Sequence, residues 1–263
     1  MSLRAGSWLP NQHGAWAILA VPLITGSALR SPPDPLRSVL LGGCFVTGYF
    51  GFFAASQWLK SPPRRRSRHL APLLTYTSSA AALGLLALLR TGPALIGWVP
   101  AFATLLIPGL WLASRRNERA IAGGALTTMA ACLMLLALCY DSPVAVIEHW
   151  PASRPAVLAS AALFGYFFGT VLHVKSLIRE RGNRGVEAAS LLWHLGWTAA
   201  AAILWPWPDG WPWLLLFALS SIRTWLLPRL ARTAPLRPAV IGSVELPLSA
   251  LALLSGLLTR TPV

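Results

Sequence analysis

Acidic residues are scarce in this sequence: 263 residues carry eight Asp and Glu against 22 Lys and Arg, and only 11% are charged, where a soluble domain carries about 25%. Lysine is rarer still, at 2 residues against 20 arginines. Cysteine is limited to Cys44, Cys132 and Cys139, each inside an apolar run, so neither a disulfide framework nor a cysteine metal site is expected. A glycine-rich phosphate loop and a Ser-His-Asp arrangement are missing, and His13, His69, His149, His173 and His194 are too dispersed for metal-ligand spacing. What fills the chain is apolar: 55% of it is hydrophobic. The apolar residues fall in runs of about 20, the length at which a helix rising 1.5 Å per residue crosses roughly 30 Å of hydrocarbon. The chain therefore reads as a single all-α membrane domain, with the lipid bilayer as its solvent.

Nine runs are expected to form transmembrane helices, over residues 14–29, 36–59, 71–89, 93–113, 120–139, 155–178, 187–205, 211–230 and 239–258. Proline-rich breaks separate most of them, at Pro32-Pro33, Pro62-Pro63, Pro93, Pro151, Pro206 and Pro208, and Pro235 and Pro238. The first run is read as an uncleaved helix, since its apolar stretch is longer than a signal peptide requires.

The net charge of +14 lies in short connections, which excludes a basic soluble domain and, with it, nucleic acid as the expected partner. Sixteen of the 22 cations sit in alternate connections: Lys60 to Arg68, Arg115 to Arg119, Lys175 to Arg184, and Arg223 to Arg237. The intervening connections hold only Arg30, Arg37, Arg90 and Arg154. Positive charge is retained on the cytoplasmic side, so a bacterial cytoplasmic-membrane protein is expected, with its N-terminus inside and its C-terminus outside.

Ionisable groups within the spans need a partner, a cavity or a purpose, because each costs about 2.5–3.5 kcal/mol at a helix centre. Here His173, Lys175, His194, Arg223 and Glu245 share one depth, near the cytoplasmic side, and so suggest a pocket opening there. Lys175 and Arg179 are four apart on one helical face and suit a phosphate or carboxylate; snorkelling to headgroups is the competing reading. Arg223 and Glu245 suit an ion pair between adjacent helices. His194, with Glu187 at i−7, offers a proton donor or acceptor, a metal ligand, or a polar helix contact. Gln12 and His13 open the first span on the same side and exceed what a helix start needs. Lys60 to His69 reads as an exposed cationic loop.

Three segments together carry a resemblance: Pro10-Asn11-Gln12-His13-Gly14-Ala15-Trp16, His173 through Glu180, and Trp193-His194. With Ser221-Ile222-Arg223 and Gly242 through Glu245, the sequence resembles the YwiC-like family of bacterial membrane proteins over nearly its whole length. That resemblance implies no particular reaction. More remotely, nine helices with polar connections after the second and sixth look like the UbiA-type membrane prenyltransferases, whose Asp-rich motifs hold magnesium on a prenyl diphosphate. Those motifs are missing here, so magnesium is not supported as a cofactor. The architectural likeness implies a binder or enzyme for an isoprenoid or quinone-like amphiphile. Its anionic head would meet Lys175, Arg179 and the Lys60 to Arg68 run directly, with Gln12, His173, Arg223 and Glu245 around it and His13 and His194 as acid-base groups. The alternatives are a transporter of a small anion or lipid and a non-catalytic assembly protein for a membrane complex.

Overall fold

Proline and short polar side chains set where the helices begin. Asp34 caps the second, its carboxylate accepting from the Arg37 amide at 3.1 Å with Pro35 in the first turn. Asn183 caps the eighth by accepting from the Gly185 and Val186 amides. In the computed structural model, which describes residues 8–9, 13–117, 120–205, 207–233 and 237–259, ten α-helices follow in order. They are α1 (His13–Leu29), α2 (Pro35–Lys60), α3 (Pro63–Thr91), α4 (Trp98–Ser114), α5 (Ile121–Cys139), α6 (Pro143–Glu148), α7 (Arg154–Ile178), α8 (Arg184–Leu204), α9 (Trp211–Thr233) and α10 (Pro238–Leu257). A 3-10 turn over Pro93–Gly97 leads into α4. No strand occurs among the described residues, and the fold is the all-α polytopic bundle expected.

Seven of these helices are long and apolar enough to cross a membrane: α2, α3, α4 with its 3-10 lead, α5, α7, α9 and α10. Helix α1 is apolar but short, with 17 residues. Helix α8 has 21 residues but carries Arg184, Glu187 and His194, so it is less apolar. Prolines at 22, 72, 108, 228 and 247 lie inside helices; in lipid-facing bundles neighbouring groups satisfy the carbonyl each one frees.

Two local features differ from the sequence reading. The basic run after α2 is not a loop: α3 starts at Pro63, so Arg64 to His69 form its first two turns and only Ser61 and Pro62 connect the helices. Proline preorganises a first helical turn and arginine is a good helix former, so nothing there stops the helix before the apolar residues begin. The connection before α7 contains the short helix α6, capped by Ser142 accepting from the Ala145 amide at 3.0 Å.

The main core joins α1, α5, α7, α8, α9 and α10 around Leu135, Leu163, Tyr166, Phe167, Trp213, Leu216 and Phe217. Helices α2 and α3 attach to α5 through a smaller cluster of Leu41, Ala87, Met134 and Leu138. Close approach of α8 to α7 depends on Gly165 and Gly169. A Cβ would stand 2.3 Å from the Trp197 ring at the first and 2.7 Å from His194 Nε2 at the second. This small-xxx-small spacing lets two helices touch backbone to side chain.

One end of the bundle gathers the basic connections and is called the basic end below. At the other end, the clamp end, Arg30 and Arg37 converge on the C-terminus of α5. Arg37 is wholly buried and donates to the Ala137 and Tyr140 carbonyls at 2.9 Å each and to Asp141. Arg30 donates to the Cys139 carbonyl at 2.9 Å and to Asp141 at 3.3 Å. Cations on the unpaired carbonyls of a helix C-terminus are favoured by the helix dipole. Cys44, Cys132 and Cys139 are free thiols in the helices, in keeping with their reading as core residues.

Candidate functional site

Four helices contribute to one buried polar network. From α9, Arg223 reaches Glu245 of α10 and, with its other terminal nitrogen, His194 Nε2 of α8 at 3.0 Å. From α7, Thr170 donates to the same Glu245 oxygen at 3.3 Å, and the Tyr166 hydroxyl lies 3.2 Å from Ser249 and 3.5 Å from the Glu245 carbonyl. Arginine can only donate, so His194 Nε2 must accept. The imidazole proton is thereby assigned to Nδ1, which lies 2.7 Å from the Ser190 carbonyl and donates to it. The Arg223 side chain is 4% exposed and that of Glu245 14%. Each charge is tolerable in this surrounding because the other is there.

The sequence candidates divide accordingly. His194, Arg223 and Glu245 are brought together. His173 lies one turn along α7 from Gly169 and Thr170; it is wholly buried, and neither ring nitrogen has a partner among the described residues. Lys175 is half-buried and Arg179 is exposed just past the end of α7. Lys60 ends α2 at the basic end. His13 begins α1, but its side chain and the whole of Gln12 lie outside the described residues. Glu187 does not turn toward His194: it pairs with Arg232 of α9 at 3.0 Å, while the Ser190 carbonyl takes the His194 proton.

At the basic end, a cavity of about 380 Å³ opens between α7, α8 and α9. Ser176, Leu177, Arg181, Glu187, Ala231 and Arg232 are among its walls. Arg181, in the turn after α7, donates to the Ala231 carbonyl. Lys175 and Arg179 are not among the lining residues, because Ser176 and Leu177 are the positions that α7 turns inward there. Sequence reasoning missed Arg181, Arg232, Thr170 and Tyr166. Only the Gly165 and Gly169 spacing signalled which face of α7 meets its neighbour. Among the described residues, no group of three His, Cys, Asp or Glu side chains is placed to hold a metal ion.

Apolar helices of spanning length, tied together by an ion pair buried within the bundle, define a multi-pass helical membrane protein. A family model described as YwiC-like protein matches residues 9–139. The uncharacterized protein YwiC of Bacillus subtilis (strain 168) is 28% identical over 217 residues, covering 82% of this chain and 84% of that protein. The chain is thus similar to the YwiC-like family over residues 9–139, and to YwiC itself over most of its length. Human proteinase-activated receptor 4 is 29% identical over 140 residues, but this covers 43% of the chain and 36% of the receptor. No solved structure matches the chain.

Proposed function

We propose that the protein binds an amphiphile with an anionic head, such as a prenyl diphosphate or another isoprenoid or quinone-like lipid, at its basic end. The observation that carries this reading is the cavity between α7, α8 and α9, where Arg181 and Arg232 stand beside Leu177, Pro228 and Ala231. Guanidinium groups are suited to bidentate bonds with phosphate or carboxylate, and the apolar wall is suited to the first part of a hydrocarbon chain. Glu187 balances Arg232 in the free protein, and a more highly charged head would compete for that guanidinium. Neutralisation by arginine makes magnesium unnecessary for binding.

The same reading places the basic end in the bacterial cytoplasm, with the N-terminus inside and the C-terminus outside. Sixteen of 22 cations fall in the four sequence stretches 60–68, 115–119, 175–184 and 223–237, in keeping with retention of positive charge on the cytoplasmic side. Three arginines there also lie over tryptophan rings: Arg66 on Trp58 at 4.7 Å, Arg115 on Trp111 at 5.7 Å and Arg229 on Trp225 at 4.0 Å. Such pairs suit a headgroup layer rich in anionic lipid.

The test is a titration of the protein in nanodiscs with a prenyl diphosphate, followed by tryptophan fluorescence, with magnesium and then with chelator. Saturable binding in both conditions is expected, weakened about tenfold or more by Arg181→Ala with Arg232→Ala, since each lost charged hydrogen bond is worth roughly 1.5–3 kcal/mol. Lys175→Ala with Arg179→Ala is expected to weaken it less. Equal affinity for the wild type and the Arg181/Arg232 variant would remove the cavity from consideration. Proteoliposome flux of the bound compound would instead favour a transporter.

A further inference from the structure

Around the ion pair of Arg223 and Glu245, several buried polar atoms are left unpaired. Glu245 Oε1, Arg223 Nε, Ser190 Oγ and both ring nitrogens of His173 are buried without a partner among the described residues. Helix register brings His173 and Ser190 to one level. Gly169 of α7 lies against His194 of α8, so in this antiparallel pair one turn toward the basic end sets His173 opposite Ser190. Thr170 bonds Glu245, so His173 is also one turn from that carboxylate along α7. Beyond His173 comes a thin apolar layer of Leu177, Leu227, Ala231 and Ile241. Leu177 and Ala231 of that layer also line the open cavity. Ser176 lines it too, and donates to the His173 carbonyl at 2.7 Å. A histidine held this way gains nothing from its nitrogens and forgoes the packing that an apolar side chain would give.

We propose that Glu245 is a reversible proton-binding site inside the bundle, served from the basic end through His173, with Arg223 shared between Glu245 and His194. In the uptake step a solvent proton from the cavity adds to one ring nitrogen of His173, and the opposite ring nitrogen releases its own proton through a bridging water to Glu245 Oε1, since neither atom has a direct partner among the described residues. His173 ends neutral with its tautomer exchanged, Glu245 ends as the neutral acid, and one solvent proton has been consumed. Arg223 then loses an anionic partner but keeps its bond to His194 Nε2. The surroundings are otherwise poor in competing charge. Helix α1, packed on α10, has no ionisable side chain over residues 14–29, and α5, packed on α7, has only Cys132 and Cys139. Helix α8 contributes His194, with Arg184 and Glu187 farther toward the basic end; α9 contributes Arg223, with Arg229 and Arg232 farther out; α7 itself carries Tyr166, whose hydroxyl lies 3.5 Å from the Glu245 carbonyl, and Lys175 beyond His173.

Infrared difference spectra of the full chain in nanodiscs, acid minus alkaline, test this without any amphiphile, so the outcome is separate from that of the binding titration. A protonated-carboxyl C=O band is expected to appear as pH falls, to vanish in Glu245→Gln, and to persist in Asp141→Asn and Glu148→Gln. His173→Phe is expected to keep the band while slowing its hydrogen–deuterium shift by roughly a hundredfold or more, the scale of a lost proton-transfer group. If Glu245→Gln does not fold, Thr170→Val removes a single donor to the carboxylate and is expected to shift the band. The absence of a band over the pH range of the folded protein, or a band that survives Glu245→Gln or is unmoved by Thr170→Val, overturns the site. An unchanged exchange rate in His173→Phe overturns the route.

Discussion

Two regions of this molecule bury arginine beside a carboxylate, yet they are built for different ends. At the clamp end, the terminal nitrogens of Arg37 are taken up by two carbonyls at the end of α5 and by Asp141, whose side chain remains 48% exposed. At the α8–α10 junction, Arg223 has a carboxylate that is 14% exposed with one oxygen unpaired, and a neutral imidazole in place of backbone. Each guanidinium leaves its Nε unbonded, so that atom does not distinguish the two. The difference lies in what the arginine holds. Backbone carbonyls cannot titrate, and a clamp made of them fixes a helix end; Glu245 and His194 can each change protonation state, and a pair made with them can change.

Substitutions can pull the two regions apart. The largest loss of stability is expected for Glu245→Ala, which strands Arg223 in the bundle at a cost of about 3–5 kcal/mol. An unfolding titration in mixed micelles would register it. Replacing both partners, Arg223→Met with Glu245→Leu, is expected to recover most of that loss, because apolar side chains of similar volume need no compensation. The corresponding change at the clamp, Arg37→Met, is expected to remain costly by about 1–3 kcal/mol even when combined with Asp141→Leu, since the α5 carbonyls keep their need for a donor. Equal recovery at both places would mean that the two arginines are held alike.

Gly169→Ala is expected to be next, at about 1–3 kcal/mol, since its Cβ would press on His194 at 2.7 Å and spread α7 from α8. Gly14→Ala, where a Cβ meets nothing within 4 Å, is its matched control and should leave the unfolding midpoint in place. The smallest effect concerns pH at the clamp end. The Arg37 amide, aided by the nearby arginines, holds the Asp34 carboxyl below the usual carboxylate range. A carboxyl with a depressed folded value stabilises above its unfolded pKa, and that contribution fades as pH falls through the lower folded value. The acid limb of a stability-against-pH curve should therefore flatten slightly in Asp34→Asn.

The helices were legible because the signal for them is local. Runs of apolar residues, proline at first turns, and Asp34 or Asn183 just before α2 or α8 each act within a few residues of where they stand. The start of α3 was misread for the same reason: polarity was taken to mean loop at Arg64 to His69, although charge does not prevent a helix from running past a membrane surface. Arg223, Glu245 and His194 were legible as candidates because charge inside an apolar run is conspicuous. Thr170 was not, since a Thr or Ser hydroxyl in a transmembrane helix can satisfy itself on its own backbone, as those of Thr47 and Ser56 do here; Tyr166 is one aromatic among several in its run. Arg30 and Arg37 look like ordinary connection charges until the end of α5 is placed beside them.

The sequence by itself determined a multi-pass helical protein with most of its cations at one end, because hydrophobicity and charge act on each segment separately against a bilayer. The packing of the helices was needed to show that Arg223 bonds His194 as well as Glu245, that both nitrogens of His173 lack a partner among the described residues, and that Arg181 and Arg232, rather than Lys175 and Arg179, face the cavity. Those outcomes depend on the rotation and register of one helix against another, which here follow from side chains as small as the hydrogens of Gly165 and Gly169.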